Sequence, residues 1–333
     1  MILTENKKSI VDKKLKVLFV SSGNLKNFDV APFIKVQGDS LNKENVEVDY
    51  FKVSGKGLKG YISNIGPLKK LLKDSDYDLI HAHFTLSAWV AVLSFPNIPI
   101  ILSLMGTDAY GRISDFKKKR FYFNYFTFLT LLIQPFTKRI VSKSPNIEKF
   151  VWQKKKSKVL PNGVDINKFY PVDHDFRKEL GLIENKKYAL FLGNHNDPRK
   201  NYQLLEKARE ELTKADIEII APYPIPHHQV FQYLNSVDVL VMCSYEEGSP
   251  NVVKEGMACN CKGVFTDVGD VRYLLEDTEG YAITGFDPIE LAEKIKSVVE
   301  MKECKGRERL IELKLDLPLV AEKLKKIYLS TLA

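Results

Sequence analysis

The stretch "YEEGSPNVVKEGMACN", Tyr245–Asn260, carries two carboxylates, Glu247 and Glu255, on either side of a turn that reads as the start of a helix. Gly248, Ser249 and Pro250 make the turn, and Pro250 suits a first helical turn because no amide hydrogen is needed there. The free N–H groups around Asn251, Val252 and Val253 can then face an anion. Carboxylates accept hydrogen bonds from sugar hydroxyls, so Glu247 and Glu255 can grip opposite ends of one elongated polar ligand. The counter-charge is available in "NDPRKN", where Arg199 and Lys200 follow Gly193 and Asn194. Both cations can neutralise a diphosphate, and Arg199 can do so with a bidentate fork. A plain surface-charge reading stands beside this one. The placement of both loops after apolar strands favours function.

A second set lies nearer the start. Gly23 and Asn24 follow "KVLFVSS", His81 and His83 close "LIHAH", and Gly106, Thr107 and Asp108 follow "IILSLM". The two histidines are two apart on a strand and so share a face. A neutral histidine packed under a loop is the bland reading, most of all for His81; His83, at the strand end, is the better site residue. The pair lacks a convincing third metal ligand, and no D-x-D signature is of the kind that would place a divalent metal under a diphosphate. Cys259 and Cys261 are separated by one residue with no partner set for zinc. Cys243 reads as a buried thiol.

These residues need elements to hold them. Apolar strands and amphipathic helices alternate along the chain, the pattern of a doubly wound α/β fold. The turn-rich "KVLPNGVDINKFYP" at 158–171 reads as a domain junction, after which the pattern restarts at "YALFLGN". Two such halves are inferred: 1–163, then 164–314, with a closing helical stretch 315–333. In doubly wound sheets ligands bind beyond the carboxyl ends of the strands, which is where every candidate above falls. Two ligand-facing edges imply an interdomain cleft.

The 333 residues are enough for two full-sized cores, and 44% hydrophobic with 28% charged content is that of a soluble globular chain. The net charge of +8 favours anionic partners. Its densest cluster, "WQKKKSK" at 152–158, reads as a solvated helix end or loop. The basic residues are otherwise dispersed and no nucleic-acid module is present, so nucleic acid is not an expected partner. The first residues lack a signal-peptide pattern, and a cytoplasmic protein is the simplest expectation. One segment stands apart: "KKKRFYFNYFTFLTLLIQPFTKR" at 117–139 is aromatic and apolar with basic flanks. Packing as a core helix is the preferred reading; peripheral contact with a bilayer or a lipid-linked acceptor at the inner membrane face is the other.

With these residues in view, the chain resembles the retaining glycosyltransferases of the large glycogen-synthase-like family, family 4, whose fold is GT-B with two Rossmann-like domains. "EEGSPNVVKEGMACN" resembles the family's E-x7-E motif, and "LPNGVDINKFYP", "FLGNHNDPRKN", "YDLIHAHF", "ILSLMGTDAYG" and "FTDVGDVRYLL" follow the family's order across nearly the whole chain. The resemblance implies transfer of a hexosyl unit from a nucleoside diphosphate sugar to an acceptor hydroxyl, a glycan or lipid-linked acceptor in surface polysaccharide synthesis. It implies metal-independent catalysis with no further cofactor, and sets no oligomeric state. Glu255 would bind the donor ribose, and Glu247 the transferred sugar. Residues 248–252 would hold the sugar and distal phosphate through backbone groups. Lys200, with Arg199, would stabilise the leaving diphosphate. Gly23 would approach the phosphates, Asp108 would face acceptor or donor sugar, and the last helix would cross back to the first domain. Four positions depart from the common pattern: Met105 stands for a histidine, Asn194 for an arginine, Gly256 for an alanine, and Lys262 falls where a proline is usual. Rival readings are a nucleotide-sugar 2-epimerase, a sugar phosphorylase and a noncatalytic nucleotide-sugar-binding protein.

Overall fold

The computed structural model describes residues 14–333 apart from 26–27, 56, 112, 116–119 and 122–124. Expectations placed on the start of the chain, and on part of the basic aromatic segment, lie outside the described residues. Two compact units are present. The first draws its described residues from Met1–Arg112, Phe121–Gly163 and Leu317–Ala333, and the second from Ile113–Arg120 and Val164–Asp316.

In the first unit the strands are β1 (Leu15–Ser22), β2 (Val46–Val53), β3 (Leu79–His83), β4 (Ile100–Leu104), β5 (Arg139–Ser142) and β6 (Ser157–Val159). They form one parallel sheet in the order β2-β1-β3-β4-β5-β6. The second unit repeats the plan with β7 (Lys187–Phe191), β8 (Ile217–Ile220), β9 (Val239–Met242), β10 (Gly263–Thr266) and β11 (Tyr281–Thr284), ordered β8-β7-β9-β10-β11 and again parallel. Continuous apolar runs such as "VLVM" and "IILSL" suit strands covered on both faces. β3, β4 and β9 are buried at every position.

The described helices of eight residues or more are α1 (Pro32–Lys43), α2 (Ile65–Lys73), α3 (Thr85–Leu93), α4 (Tyr125–Ile133), α5 (Tyr202–Thr213), α6 (His227–Leu234), α7 (Asn251–Ala258), α8 (Pro288–Val299) and α9 (Leu317–Leu332). The last of these lies in the first unit, where the Tyr328 hydroxyl meets His81 Nδ1 at 2.6 Å. α3 is apolar all round and shows no helical periodicity, which is why the sequence pattern passes over it. β6 is short, with only Ser157 inward; its lysine-rich surroundings read as loop.

Two sequence expectations need correction. α7 starts at Asn251, with Pro250 as the residue before it rather than inside the first turn. The segment expected to pack as a core helix does not do so on all sides. α4 turns Thr127, Thr130 and Ile133 inward and exposes Tyr125, Phe128 and Leu132. The threonines point inward because they have work there: Thr130 Oγ1 lies 2.6 Å from Thr85 Oγ1 and donates to the Asp108 carbonyl at 2.5 Å.

Candidate functional site

Strand order reverses direction in the second unit between β7 and β9, and the loops after those two strands open at that switch point. They are the loops that carry Arg199, Lys200 and Glu247. Lys200 Nζ stands 2.6 Å from Glu247 Oε1, and the Ser244 hydroxyl donates to the same oxygen at 2.8 Å. The loops are also tied through their backbones. Tyr245 N–H donates to the Arg199 carbonyl at 2.8 Å, and Asn201 Nδ2 to the Cys243 carbonyl at 3.2 Å. Asn201 adopts a left-handed conformation, φ 52°, which asparagine tolerates better than most residues.

Arg199 is held differently. Its Nε and Nη2 donate to the two Asp197 oxygens at 3.1 and 2.6 Å, and that hydrogen-bonded carboxylate raises the guanidinium pKa further. Asn194 uses its side-chain oxygen to accept from Asn196 N–H at 3.0 Å, closing the Gly193 turn. A Cβ at Gly193 would come within 3.3 Å of the Phe191 ring.

The turn before α7 rests on a buried polar network that the sequence did not announce. Lys254 is fully buried and donates to Ser249 Oγ at 2.9 Å; Ser249 in turn donates to Asp270 Oδ2 at 2.7 Å. Burial lowers the Lys254 pKa and raises that of Asp270, and the attraction between them opposes both shifts. Behind the turn, Gly269 sits at φ +61°, and a Cβ there would lie 2.7 Å from the Gly248 carbonyl and 2.9 Å from that of Glu247. Gly256 departs from the common alanine for a local reason: a Cβ would sit 2.7 Å from Leu240 Cδ2. Lys262 stands in place of a proline with work of its own, donating to the Val299 and Met301 carbonyls at 2.6 and 3.0 Å.

Glu255 lies one helical face away with its own partner. His227 Nε2, at the start of α6, is 3.2 Å from Glu255 Oε1, and Lys168 Nζ is 2.9 Å from His227 Nδ1. His227 was missed because nothing in "PIPHHQV" links it to a glutamate so far along the chain. Val252 is half-buried in the first turn of α7, and Asn251 Oδ1 is buried without a hydrogen-bond partner among the described residues. Among the second unit's candidates, hydrogen bonds join Lys200 to Glu247 and the Arg199 carbonyl to Tyr245 N–H, while Glu255 within α7 pairs with His227.

The first unit's candidates follow three strands, Gly23 after β1, His83 at the end of β3 and Asp108 after β4, and the strand order reverses between β1 and β3. Gly23 N–H donates to the Val53 carbonyl at 2.9 Å, and a Cβ would stand 3.0 Å from Lys52 Cβ. His83 is not an open site residue: it is 2% exposed, stacked on His81 with ring centroids 4.3 Å apart. Its ring nitrogens have no hydrogen-bond partner among the described residues. His81 is fully engaged, with Ser103 Oγ at 2.7 Å from Nε2 opposite the Tyr328 contact. Asp108, expected to face a ligand, is instead fully buried and accepts from the backbone N–H groups of Thr85, Met105 and Gly106 at 3.2, 3.0 and 2.9 Å. It fastens the loop after β4 to the start of α3. Burial raises its pKa to about 6 against those three donors. Among the described residues, no group of three or more His, Cys, Asp or Glu could hold a metal ion, and no helix is long and apolar enough to cross a membrane.

These groups make stability depend on pH in opposite directions. Burial lowers the pKa of His81 and of His83, so each contributes stability present above about 6.5 and lost as pH falls. The raised Asp108 pKa contributes stability present below about 4 and lost as pH rises through about 6. Each group contributes a slope of up to about 1.4 kcal/mol per pH unit in its window. Urea unfolding of wild type and Asp108→Asn from pH 4 to 7 should therefore diverge, the variant gaining stability more steeply with pH. Parallel curves would show that Asp108 titrates normally.

Comparison with known proteins agrees with the two-unit parallel-sheet fold. The family model described as Glycosyltransferase Family 4 matches residues 29–168, and that described as Glycosyl transferases group 1 matches residues 190–301. The Bacillus subtilis glycosyltransferase TuaC, provisionally named for teichuronic acid biosynthesis, is 26% identical over 62% of this chain and 57% of its own length. The matched stretch therefore spans little more than half of that relative. An uncharacterised glycosyltransferase of Methanocaldococcus jannaschii is 24% identical over 71% of this chain and 70% of its own length. In fold, the sucrose-phosphate synthase of Thermosynechococcus elongatus superposes with a TM-score of 0.78 at 18% identity, covering 94% of this chain and 98% of that one. Anabaena HepE in complex with UDP-glucose superposes at 0.69 with 16% identity, covering 94% and 98%. The chain belongs to the family 4 glycosyltransferases, and its two parallel-sheet units are those of the GT-B fold.

Proposed function

We propose that the protein transfers a hexosyl unit from a nucleoside diphosphate sugar to an acceptor hydroxyl, with retention of anomeric configuration. One observation carries the reading: Lys200 and Glu247 meet at the switch point of the second unit, beside the open first turn of α7. That arrangement offers a cation and helix N–H groups for a diphosphate and a carboxylate for sugar hydroxyls. The bond between the anomeric carbon and the diphosphate oxygen breaks. The acceptor oxygen bonds to the same face of that carbon, and its proton passes to the departing phosphate. Lys200 and the α7 N-terminus stabilise the charge that develops on the phosphate. Arg199 supports them if it leaves Asp197. Glu247 orients the sugar and Glu255 takes the ribose hydroxyls. Gly23, His83 and Asp108 shape the first unit's loops rather than react.

Relatives support the wider setting. TuaC is named for teichuronic acid, and a solved relative of the same fold is a lipopolysaccharide outer core galactosyltransferase. The acceptor class proposed is a cell-surface glycan or its lipid-linked precursor, met on the cytoplasmic side where nucleotide sugars are made. The UDP-glucose bound by HepE makes UDP-hexoses the first donors to test.

Glu255→Ala tests the donor pocket. Losing a charged hydrogen bond to ribose costs about 1.5–3 kcal/mol, so affinity for UDP by calorimetry should fall roughly 10- to 100-fold. His227→Ala should weaken it less, because it removes only the group that steadies Glu255. Undiminished UDP binding by Glu255→Ala would place the nucleoside elsewhere. Mass analysis of products from a donor panel then identifies the sugar.

A further inference from the structure

α4 shows apolar side chains to both sides. Thr127, Thr130 and Ile133 are buried, while Tyr125, Phe128 and Leu132 face outward and are 60%, 47% and 44% exposed. The outward spacing is that of one helical face, so these three form a stripe. The stripe does not stand alone. At the end of α3, Leu93 and Phe95 are 40% and 75% exposed; Phe136 and Trp152 are 60% and 56% exposed. Hydrogen bonds hold these parts together. Trp89 Nε1 donates to the Leu129 carbonyl at 3.2 Å, and Trp152 Nε1 to the Leu131 carbonyl at 2.9 Å. An apolar groove of about 520 Å³ is lined by Trp89, Leu93, Phe95 and Phe136, with Lys138 and Lys156 also on its wall. Exposed apolar area beyond scattered single residues marks an interaction surface.

Its charge names the partner. The stretch 133–161 carries Lys138, Arg139, Lys149, Lys154, Lys155, Lys156 and Lys158 outside the core, with Lys143 buried, against one acid, Glu148. Glu148 is itself occupied, accepting from Ser142 and Ser157 at 2.6 Å each. Lys156 is anchored at the patch by the Pro135 and Thr137 carbonyls, 3.2 and 3.1 Å from its ammonium. A two-fold dimer through this face would set lysines against their own copies. An anionic bilayer satisfies both halves of the surface: aromatic and leucine side chains enter the interface while the lysines meet headgroup phosphates.

We infer that the outer face of α4, with Leu93, Phe95, Phe136, Trp152 and the neighbouring lysines, docks the first unit onto an anionic lipid surface. This deepens the reading above, because a membrane-held enzyme would meet a lipid-linked acceptor at the bilayer. The patch lies in the first unit and the donor residues in the second, so the two readings fail separately: vesicle binding tests this one, UDP binding the other.

The chain's only two tryptophans report on this surface: Trp89 lines the groove, and the exposed Trp152 is bonded to the Leu131 carbonyl of α4. Vesicles of phosphatidylcholine, with and without phosphatidylglycerol, are the probes. With phosphatidylglycerol the protein should co-sediment and its tryptophan emission should shift to the blue; added salt should weaken binding. Lys155→Glu with Lys158→Glu should reduce affinity roughly thirtyfold or more. Phe95→Ser with Phe136→Ser should remove the binding while leaving UDP affinity unchanged. All four side chains are mostly outside the core, and an unaltered melting curve verifies that the fold is kept. Absence of binding to phosphatidylglycerol vesicles overturns the inference. So does binding that both variants retain, or binding as tight to phosphatidylcholine alone. Concentration-dependent dimerisation lost in the phenylalanine variant, without vesicle binding, assigns the face to a second copy instead and equally overturns it.

Discussion

Lys200→Ala should lower the turnover number for sugar transfer by about 10²- to 10³-fold. The expectation rests on where the ammonium sits. It lies 2.6 Å from Glu247 Oε1, at the strand-order reversal and beside the first turn of α7. In the proposed reaction, negative charge builds on the departing diphosphate, and a fixed cation there acts without reorganising at the moment of reaction. The ion pair itself is partly open, its side chains 31% and 18% exposed. Such a pair contributes at most about 1 kcal/mol to stability. Lys200→Ala should therefore fold almost as well as the wild type while losing most of its turnover. That separation is the test. A purely structural pair would reverse it, with a lower melting temperature and normal kcat on the same donor. Glu247→Gln adds a second reading. It keeps the shape but loses the charge that orients the sugar, so it should also lower kcat with the fold intact.

Lys254→Ala carries the largest expected effect on stability, a loss of about 3–5 kcal/mol from the second unit. Lys254 is fully buried inside α7 and reaches Ser249 Oγ at 2.9 Å, which reaches Asp270 at 2.7 Å. Removing the ammonium leaves a carboxylate that is 2% exposed and deprived of its counter-charge. The cost comes from that stranded charge more than from the lost attraction. Lys254→Met combined with Asp270→Asn removes both charges and should recover most of the loss. Urea unfolding of the single and double variants measures this coupling. A single-variant loss below about 1 kcal/mol would mean that Asp270 is already neutral in the fold. The same network sets the position of the 248–250 turn, so the single variant should also raise KM for the donor.

Much of the plan was readable along the chain. Largely apolar runs before Gly23, Gly106 and Gly193, broken only by serines, announce buried parallel strands, because a strand covered on both faces has no charged side to show. The ordered loops after those strands locate the chemistry for the same reason that doubly wound sheets bind at their carboxyl ends. Glu247, Glu255 and Lys200 stand out as candidates because they flank a turn and a helix start beyond strand ends, with a plain surface-charge reading beside it for Lys200. α3 escaped, since an apolar helix without periodicity gives no face to read, and α4 is legible as a helix but not in which side faces outward.

The sequence by itself determined two doubly wound units, the loops that carry their polar residues, and the acids and cations of the second unit. Tertiary structure alone decided which of those residues meet. It paired Lys200 with Glu247 and Arg199 with Asp197, set His227 against Glu255, and buried Lys254 with Asp270. It also closed His83 and Asp108 into the first unit and turned the apolar stripe of α4 outward. The physical reason is the same in each case. Periodicity and turn chemistry act over a few residues, whereas these contacts join loops brought together only when each sheet is assembled in its strand order.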